Sequence, residues 1–335
     1  MKTKAGIVGF RGYSGAELIQ LLSRHSHLEP VLLEHRDAEA EARPIGRPGP
    51  IRAPFSTETI KEQNIAVVFL ATPPEASMDL SGPILGAGAK VVDLSGAFRL
   101  GTVENYKRWY KEPHTQPELL AEAVYGLPEF CRSRIAGARL ISNPGCYPTA
   151  ANLALKPLIE AGAIEREHGI VCDAKSGVSG AGRKASLKTS FCEVTENFSA
   201  YSILNHRHVP EVLMASGIGE QEFSFTAQLI PIDRGILETI YFRVNRTITS
   251  AQDLLRIYQD RYGDEPFVRL YKPPYVPDLR GVSRTNFCDI GINFDPATGR
   301  AVVVSAIDNL GKGAAGQAIQ NANLALGYTE SEGLL

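Results

Sequence analysis

Cysteine is scarce in this chain and nowhere paired. Five cysteines, at 131, 146, 172, 192 and 288, are odd in number, far apart and free of C-x-x-C spacing. That excludes a disulfide framework and a zinc site of the usual spacing, and it fits a reducing compartment. Long hydrophobic runs are missing too, since none approaches the ~18 residues of a membrane span. The start, MKTKAGIVGF, turns to glycine and charge within a few residues. No signal peptide or anchor is expected, and the expected location is the cytoplasm. Nor is there an excess of one charge: 35 Lys and Arg stand against 37 Asp and Glu, scattered rather than striped, for a net −2. Neither nucleic acid nor an anionic membrane is implied, so the expected partner is a small molecule. Internal repeats and low-complexity linkers are also absent.

What is present suits a globular protein with two cores: 335 residues, 44% of them hydrophobic and 21% charged. Residues 5–10 read as a short buried strand. Glycines 9, 12 and 15 then lead into AELIQLLSRH, whose Leu18, Ile19, Leu21 and Leu22 suit a helix face. PVLLEHR, IAVVFLATP and AKVVDLSG read as further strands, and this alternation predicts a parallel sheet with right-handed crossovers. Residues 105–130 change to aromatic, proline and charge, which predicts a surface excursion before the strand ARLIS. In the second half FSFTAQLIPI, GILETIYFRV, NFCDIGINF and AVVVSAID alternate as in a largely antiparallel sheet with helices on one face. An alanine-rich helix, GKGAAGQAIQNANLALGY, comes last. The fold class expected is α/β in the first half and α+β with a mixed sheet in the second.

Chemistry concentrates in a few stretches. GIVGFRGYSGAEL places Gly9, Arg11, Gly12, Tyr13, Ser14 and Gly15 between a strand and a helix, a turn through which a backbone approaches a pyrophosphate. The bland reading is a tight turn with no ligand. After the second strand come Glu34, His35 and Arg36. Glu34 suits the ribose hydroxyls of NAD, Arg36 the 2′-phosphate of NADP, and NADP is the reading preferred. SNPGCYP sets Cys146 between two prolines, just ahead of an apolar helix, where the helix N-terminus favours a thiolate. A packed thiol is the alternative. NHRHVPEV offers His206 and His208 as bases, with Glu211 three residues beyond His208 to orient it, or else a solvated basic patch. Metal binding is not expected of the pair, because residues two apart do not converge. DAKSGVSGAGRKA, with Ser176, Gly177 and Gly180, has the composition of a backbone nest for an anion. Polar turns follow apolar strands at DLSGAFR, holding Arg99, and at AIDNLGKGAAGQ, holding Asn309.

Together with AVYGLPE, EVTENFSAY, DRGIL and TNFCDIG, these stretches resemble the N-acetyl-gamma-glutamyl-phosphate reductases of the aspartate-semialdehyde dehydrogenase superfamily from end to end. The resemblance implies an NADP-binding Rossmann domain over 1–145 completed by a C-terminal helix at 311–335. It implies a catalytic and oligomer-forming domain over 146–310, a homodimer or homotetramer, and Cys146 as the acyl-accepting thiol. Two departures stand out: Ala97 in DLSGAFR where the family usually has aspartate, and ATPPE where it often has ALPHG.

An acyl phosphate with a second carboxylate needs at least two anion-binding groups, and Arg99, Asn143, Arg207 and the 176–182 loop are the candidates. The expected activity is NADPH-dependent reduction of N-acetyl-gamma-glutamyl phosphate through a Cys146 thioester, with His208 or His206 as acid/base. Alternatives are a sister branch acting on carrier-bound aminoadipyl phosphate, a dehydrogenase for aspartyl phosphate, and an NADPH sensor without chemistry.

Overall fold

The computed structural model describes residues 2–35 and 49–335. The chain divides into two units, one of Met1–Pro144 with Ala315–Leu335, the other of Gly145–Ala314. The first unit carries the strands β1 (Thr3–Val8), β2 (Leu28–Glu34), β3 (Ile51–Pro54), β4 (Ile65–Leu70), β5 (Lys90–Asp93), β6 (Val124–Tyr125) and β7 (Leu140–Ser142). They form one parallel sheet in the order β3-β2-β1-β4-β5-β7-β6. Runs such as IAVVFL are apolar on both faces because helices cover both sides of a parallel sheet. The chain builds outward from β1 in one direction and from β4 in the other, so a crevice opens beyond the carboxyl ends of these two strands. Strands β3 and β6 were not foreseen; at four and two residues each is too short to carry an alternation.

Residues 105–130 are not the surface excursion the composition suggested. Helices Val103–Tyr110, Pro117–Glu122 and Pro128–Gly137 run through and just beyond them, and Tyr106, His114 and Leu120 are buried. Tyr106 and Tyr110 stack with centroids 4.6 Å apart, and the His114 ring meets Tyr106 edge-on at 4.9 Å. The aromatics that looked like surface ornament face inward and pack against the core of the sheet. The C-terminal helix, Gly316–Leu326, is buried along nearly its whole length, amides included.

The second unit carries β8 (Ile170–Gly177), β9 (Ser199–Tyr201), β10 (Phe223–Ile230), β11 (Ile236–Arg243), β12 (Val268–Leu270), β13 (Cys288–Asp295) and β14 (Arg300–Ile307). Their order is β12-β13-β14-β11-β8-β10-β9, with β8 parallel to β10, β12 parallel to β13, and all other pairs antiparallel. Side chains alternate along β11, where Ile236, Glu238, Ile240 and Phe242 are buried and Tyr241 and Arg243 are exposed. Helices Cys146–Glu160, Val209–Ser216 and Ala251–Tyr262 cover the buried face. Two tyrosines fasten this layer, Tyr258 donating to Ala154 O and Tyr262 to Leu153 O at 2.7 Å.

Candidate active site

In the first unit, the turn after β1 can only be made by glycine at two places. Gly9 has φ +81°, and a Cβ there would run into the Ala71 carbonyl oxygen. At Gly15 it would lie 2.5 Å from Phe10 Cα, so the helix Tyr13–Arg24 packs directly on the turn. Gly12 caps that helix with no side-chain bond and no acid in the first turn, which leaves its leading N–H groups suited to an anion. Beside the turn lies a cavity of about 180 Å³ whose lining includes Gly9, Arg11, Glu34, His35 and Thr72. Arg11 and Arg52 reach Glu34 at 3.5 and 3.6 Å, and both guanidinium groups lie over the Phe10 ring, at 4.8 and 5.3 Å. The region therefore offers a carboxylate with two cations gathered on it. Arg52 was not foreseen, because β3 itself was not. Arg36 lies outside the described residues.

In the second unit, Cys146 is the first residue of the helix Cys146–Glu160, with Gly145 as its cap. No acid occupies the first turn, so the partial positive charge of the helix end falls on the sulfur. Three neighbours fix it. Glu211, wholly buried, accepts a hydrogen bond from Gly145 N at 2.9 Å. The His208 ring lies so close over Gly145 that a Cβ there would be 2.7 Å from Nε2. From the other side comes Gly313, whose added Cβ would stand 2.8 Å from Cys146 Cβ.

Both histidines are buried, 4.8 Å apart between ring centroids. His206 Nδ1 accepts the backbone N–H of His208 at 3.2 Å, which leaves its proton on Nε2. Burial, helped by the neighbouring Arg207, pushes His206 down to about 4, so it is neutral near pH 7. Tyr147 packs edge-on against both rings, and its hydroxyl meets that of Tyr201 at 3.1 Å. Burial holds the Tyr147 phenol well above its usual range and raises that of Tyr201. These side chains line a cavity of about 740 Å³, which Arg207 and Lys188 also line with positive charge and Glu193 with negative. Sequence reasoning named Cys146, His206, His208 and Arg207 but missed Tyr147, Tyr201, Lys188 and Glu193. The stretches SNPGCYP and EVTENFSAY contain Tyr147, Glu193 and Tyr201, and nothing in the sequence pointed at Lys188.

Other candidates need correction. The 176–182 stretch is not an open nest: the N–H groups of Gly177, Val178 and Ser179 donate to the carbonyls of Gly235, Ile232 and Asp233. Ser176 and Gly180 do line the cavity, but as wall. Asn309 has both ends of its amide engaged, accepting from Gly235 N at 2.7 Å and donating to Ser179 Oγ at 2.9 Å. It braces that loop. Arg99, in the first unit, is buried with its guanidinium donating to the carbonyls of Asn143 and Leu94. Asn143 is buried too and accepts from Asn321. Arg99 thereby ties the ends of β5 and β7 together, and Asn143 ties the end of β7 to the C-terminal helix.

Comparison with known proteins bears on both units. Residues 4–138 match the model for the semialdehyde dehydrogenase NAD binding domain, and residues 146–309 match that for the semialdehyde dehydrogenase dimerisation domain. N-acetyl-gamma-glutamyl-phosphate reductase of Desulforudis audaxviator is 46% identical over 99% of this chain and 98% of its own. Its namesake in Symbiobacterium thermophilum is 45% identical over 100% and 98%. Among solved structures, aspartate semialdehyde dehydrogenase II of Vibrio cholerae, complexed with ASA, has a TM-score of 0.73 at 17% identity, covering 97% of this chain and 98% of its own. The Candida albicans enzyme with NADP has a TM-score of 0.69 at 18% identity, with the same coverage.

Proposed function

The chain belongs to the N-acetyl-gamma-glutamyl-phosphate reductases of the semialdehyde dehydrogenase family, and from that premise we propose how its residues act. It reduces N-acetyl-gamma-glutamyl phosphate with NADPH to N-acetylglutamate 5-semialdehyde and phosphate, a step of arginine biosynthesis. The observation that carries this reading is Cys146 on a helix N-terminus in the wall of the large cavity, with the His208 ring against its cap.

The Cys146 thiolate attacks the acyl carbon; the C–S bond forms, the bond to the phosphate oxygen breaks and phosphate leaves. When bound, the nicotinamide supplies the hydride that reduces the thioester carbonyl. His208 gives a proton to the oxygen as it gains charge and takes it back as the C–S bond breaks and the aldehyde departs. Arg207 and Lys188 meet the substrate's anionic groups. His206 and Glu211 position: one holds the His208 backbone, the other the cap of the cysteine helix.

For the cofactor, the glycine turn fits a pyrophosphate, and Arg11 and Arg52 supply charge beside Glu34 for a 2′-phosphate. A well-formed charge-assisted bond contributes roughly 1.5–3 kcal/mol. Arg52→Ala is therefore expected to raise the KM for NADPH at least about tenfold more than that for NADH. The match of 146–309 to a dimerisation domain supports a homodimer or homotetramer, working in the cytoplasm. Among the described residues no helix is long and apolar enough to cross a membrane.

The direct test is the reverse reaction: N-acetylglutamate semialdehyde, phosphate and NADP, followed by NADPH absorbance. Turnover that Cys146→Ser abolishes without loss of cofactor binding is expected. Silence with this aldehyde alongside activity on a carrier-linked one would overturn the substrate.

A further inference from the structure

The substrate of the proposed reaction carries two recognition groups on one carbon, a carboxylate and an acetamido group, three carbons along from the acyl carbon that meets Cys146. The acetamide is neutral and planar, and its carbonyl edge needs a hydrogen-bond donor. Since a cation would draw the carboxylate instead, that donor has to be neutral. Because both groups hang from one carbon, it also has to lie beside the cation that holds the carboxylate.

Most neutral polar side chains lining the Cys146 cavity are committed elsewhere. Ser186 and Thr189 share a hydrogen bond of 2.8 Å, Asn197 Nδ2 donates to Glu193 O at 2.9 Å, and Ser176 Oγ donates to Gly177 O at 3.0 Å. The hydroxyls of Tyr147 and Tyr201 meet each other. Asn205 lines the same cavity, is exposed, and its carboxamide has no partner among the described residues. It stands on one side of the buried His206, and Arg207, which also lines the cavity, stands on the other. The turn that presents it is strained. Ser202 and Leu204 hold φ angles of +46° and +57°, in the left-handed region that a leucine adopts only under constraint, and such strain gathers at functional sites. Asn205 N closes the turn on Ser202 O at 3.1 Å, and Leu204 N donates to Phe225 O at 3.2 Å. The backbone is thus fixed while the Asn205 amide is left over.

We propose that Asn205 is the specificity-determining residue for the N-acetyl group, its Nδ2 donating to the acetyl carbonyl oxygen while Arg207 holds the carboxylate on the same carbon. This rests on the reading above and deepens it by assigning the group that tells an acylated amine from a bare chain. Ala181, Val194, Ala200 and Leu229 add apolar lining that suits the acetyl methyl.

The experiment runs the reverse reaction on N-acetylglutamate semialdehyde and on 5-oxopentanoate, the same aldehyde without its acetamido group, for wild type and Asn205→Ala. Wild type is expected to favour the acetylated aldehyde in kcat/KM. The variant is expected to raise KM for that aldehyde by roughly tenfold or more with kcat nearly unchanged, and to leave both constants for 5-oxopentanoate as they were. A merely structural role would weaken both aldehydes alike, so an equal loss on the two, or a preference that survives the substitution, would overturn the proposal. Calorimetric titration with N-acetylglutamate and with glutarate reads the same contact without turnover. Wild type is expected to bind the acetylated acid more tightly and Asn205→Ala to erase the difference; a difference that persists in the variant, or none in wild type, overturns the assignment. A wild type that turns over neither aldehyde overturns the reaction proposed above, and the titration still decides Asn205.

Discussion

At Gly145 the backbone angles, φ −66° and ψ 157°, suit any L residue, yet a methyl group there would lie 2.7 Å from His208 Nε2 and 2.9 Å from Cδ2. The obstacle to alanine is thus the imidazole alone. Gly145→Ala is expected to fold with little change in Tm, push the ring off the cap and lower kcat by about 10²-fold or more, the usual worth of a positioned acid/base. Circular dichroism and steady-state kinetics check both halves. The two histidines separate by pH. His206, held near 4, carries no charge change across the range of about pH 5–8 where histidines usually titrate. An inflection of kcat/KM in that range is therefore expected to survive His206→Asn. Cys146 itself was legible, since two prolines and a glycine around a thiol before an apolar helix have few other uses. The bonds of Arg99 were not: its sequence setting is that of a ligand group, and that its guanidinium also holds the carbonyls of Asn143 and Leu94 shows only in the fold. Cys146 is half-buried, whereas Cys192 is exposed. Labelling with iodoacetamide then needs Cys192→Ser as its background.

Among the elements, the C-terminal tail shows what periodicity leaves out. His25 is wholly buried at the end of the helix Tyr13–Arg24. Its Nδ1 accepts from the N–H groups of His27 and Leu28, and its Nε2 faces Asn323 Oδ1 at 2.9 Å. Gly333 packs on the same ring, and Tyr328 stacks on His27. Burial lowers the His25 pKa from 6.5. A lowered histidine contributes stability that is present above 6.5 and lost as pH falls through the folded-state value. Protonation at Nδ1 would also turn an acceptor of two bonds into a donor. Residues after Gly327 are expected to lose hydrogen-exchange protection below pH 6.5, ahead of the sheet. His25→Ala is expected to cost about 2–3 kcal/mol near neutral pH and to flatten that pH dependence. The sequence announced the helix Gly316–Leu326 by its alanines. It did not announce that Gln317 and Asn321 would both donate to Gly126 O inside the core, for a buried amide reads as a polar surface until its partner is known.

For the whole molecule, strand alternation made the parallel sheet and the mixed sheet legible, along with an exchange of fold near Cys146. The return of the chain was placed at 311 where the structure has it at Ala315, because the π-helical segment Gly311–Ala315 runs directly into the helix Gly316–Leu326 and carries no pattern of its own. Removing Gly316–Leu335 strips the first unit of a helix that packs on Pro128–Gly137, on β5 and on Tyr13–Arg24. The truncated chain is expected to lose NADPH binding and one calorimetric transition while keeping another for Gly145–Ala314.

The same interruption of one unit by the other sets an order of birth. Ribosomes add roughly 5–20 residues per second, and domains fold as they emerge. The second unit is complete in the nascent chain once Ala314 has left the tunnel, whereas the first, though begun earlier, must wait for Ala315–Leu335. A newly made chain therefore carries its finished thiol-bearing unit before it can hold a dinucleotide, and a stop codon that removes Gly316–Leu335 would spare the thiol-bearing unit and disable the dinucleotide-binding one.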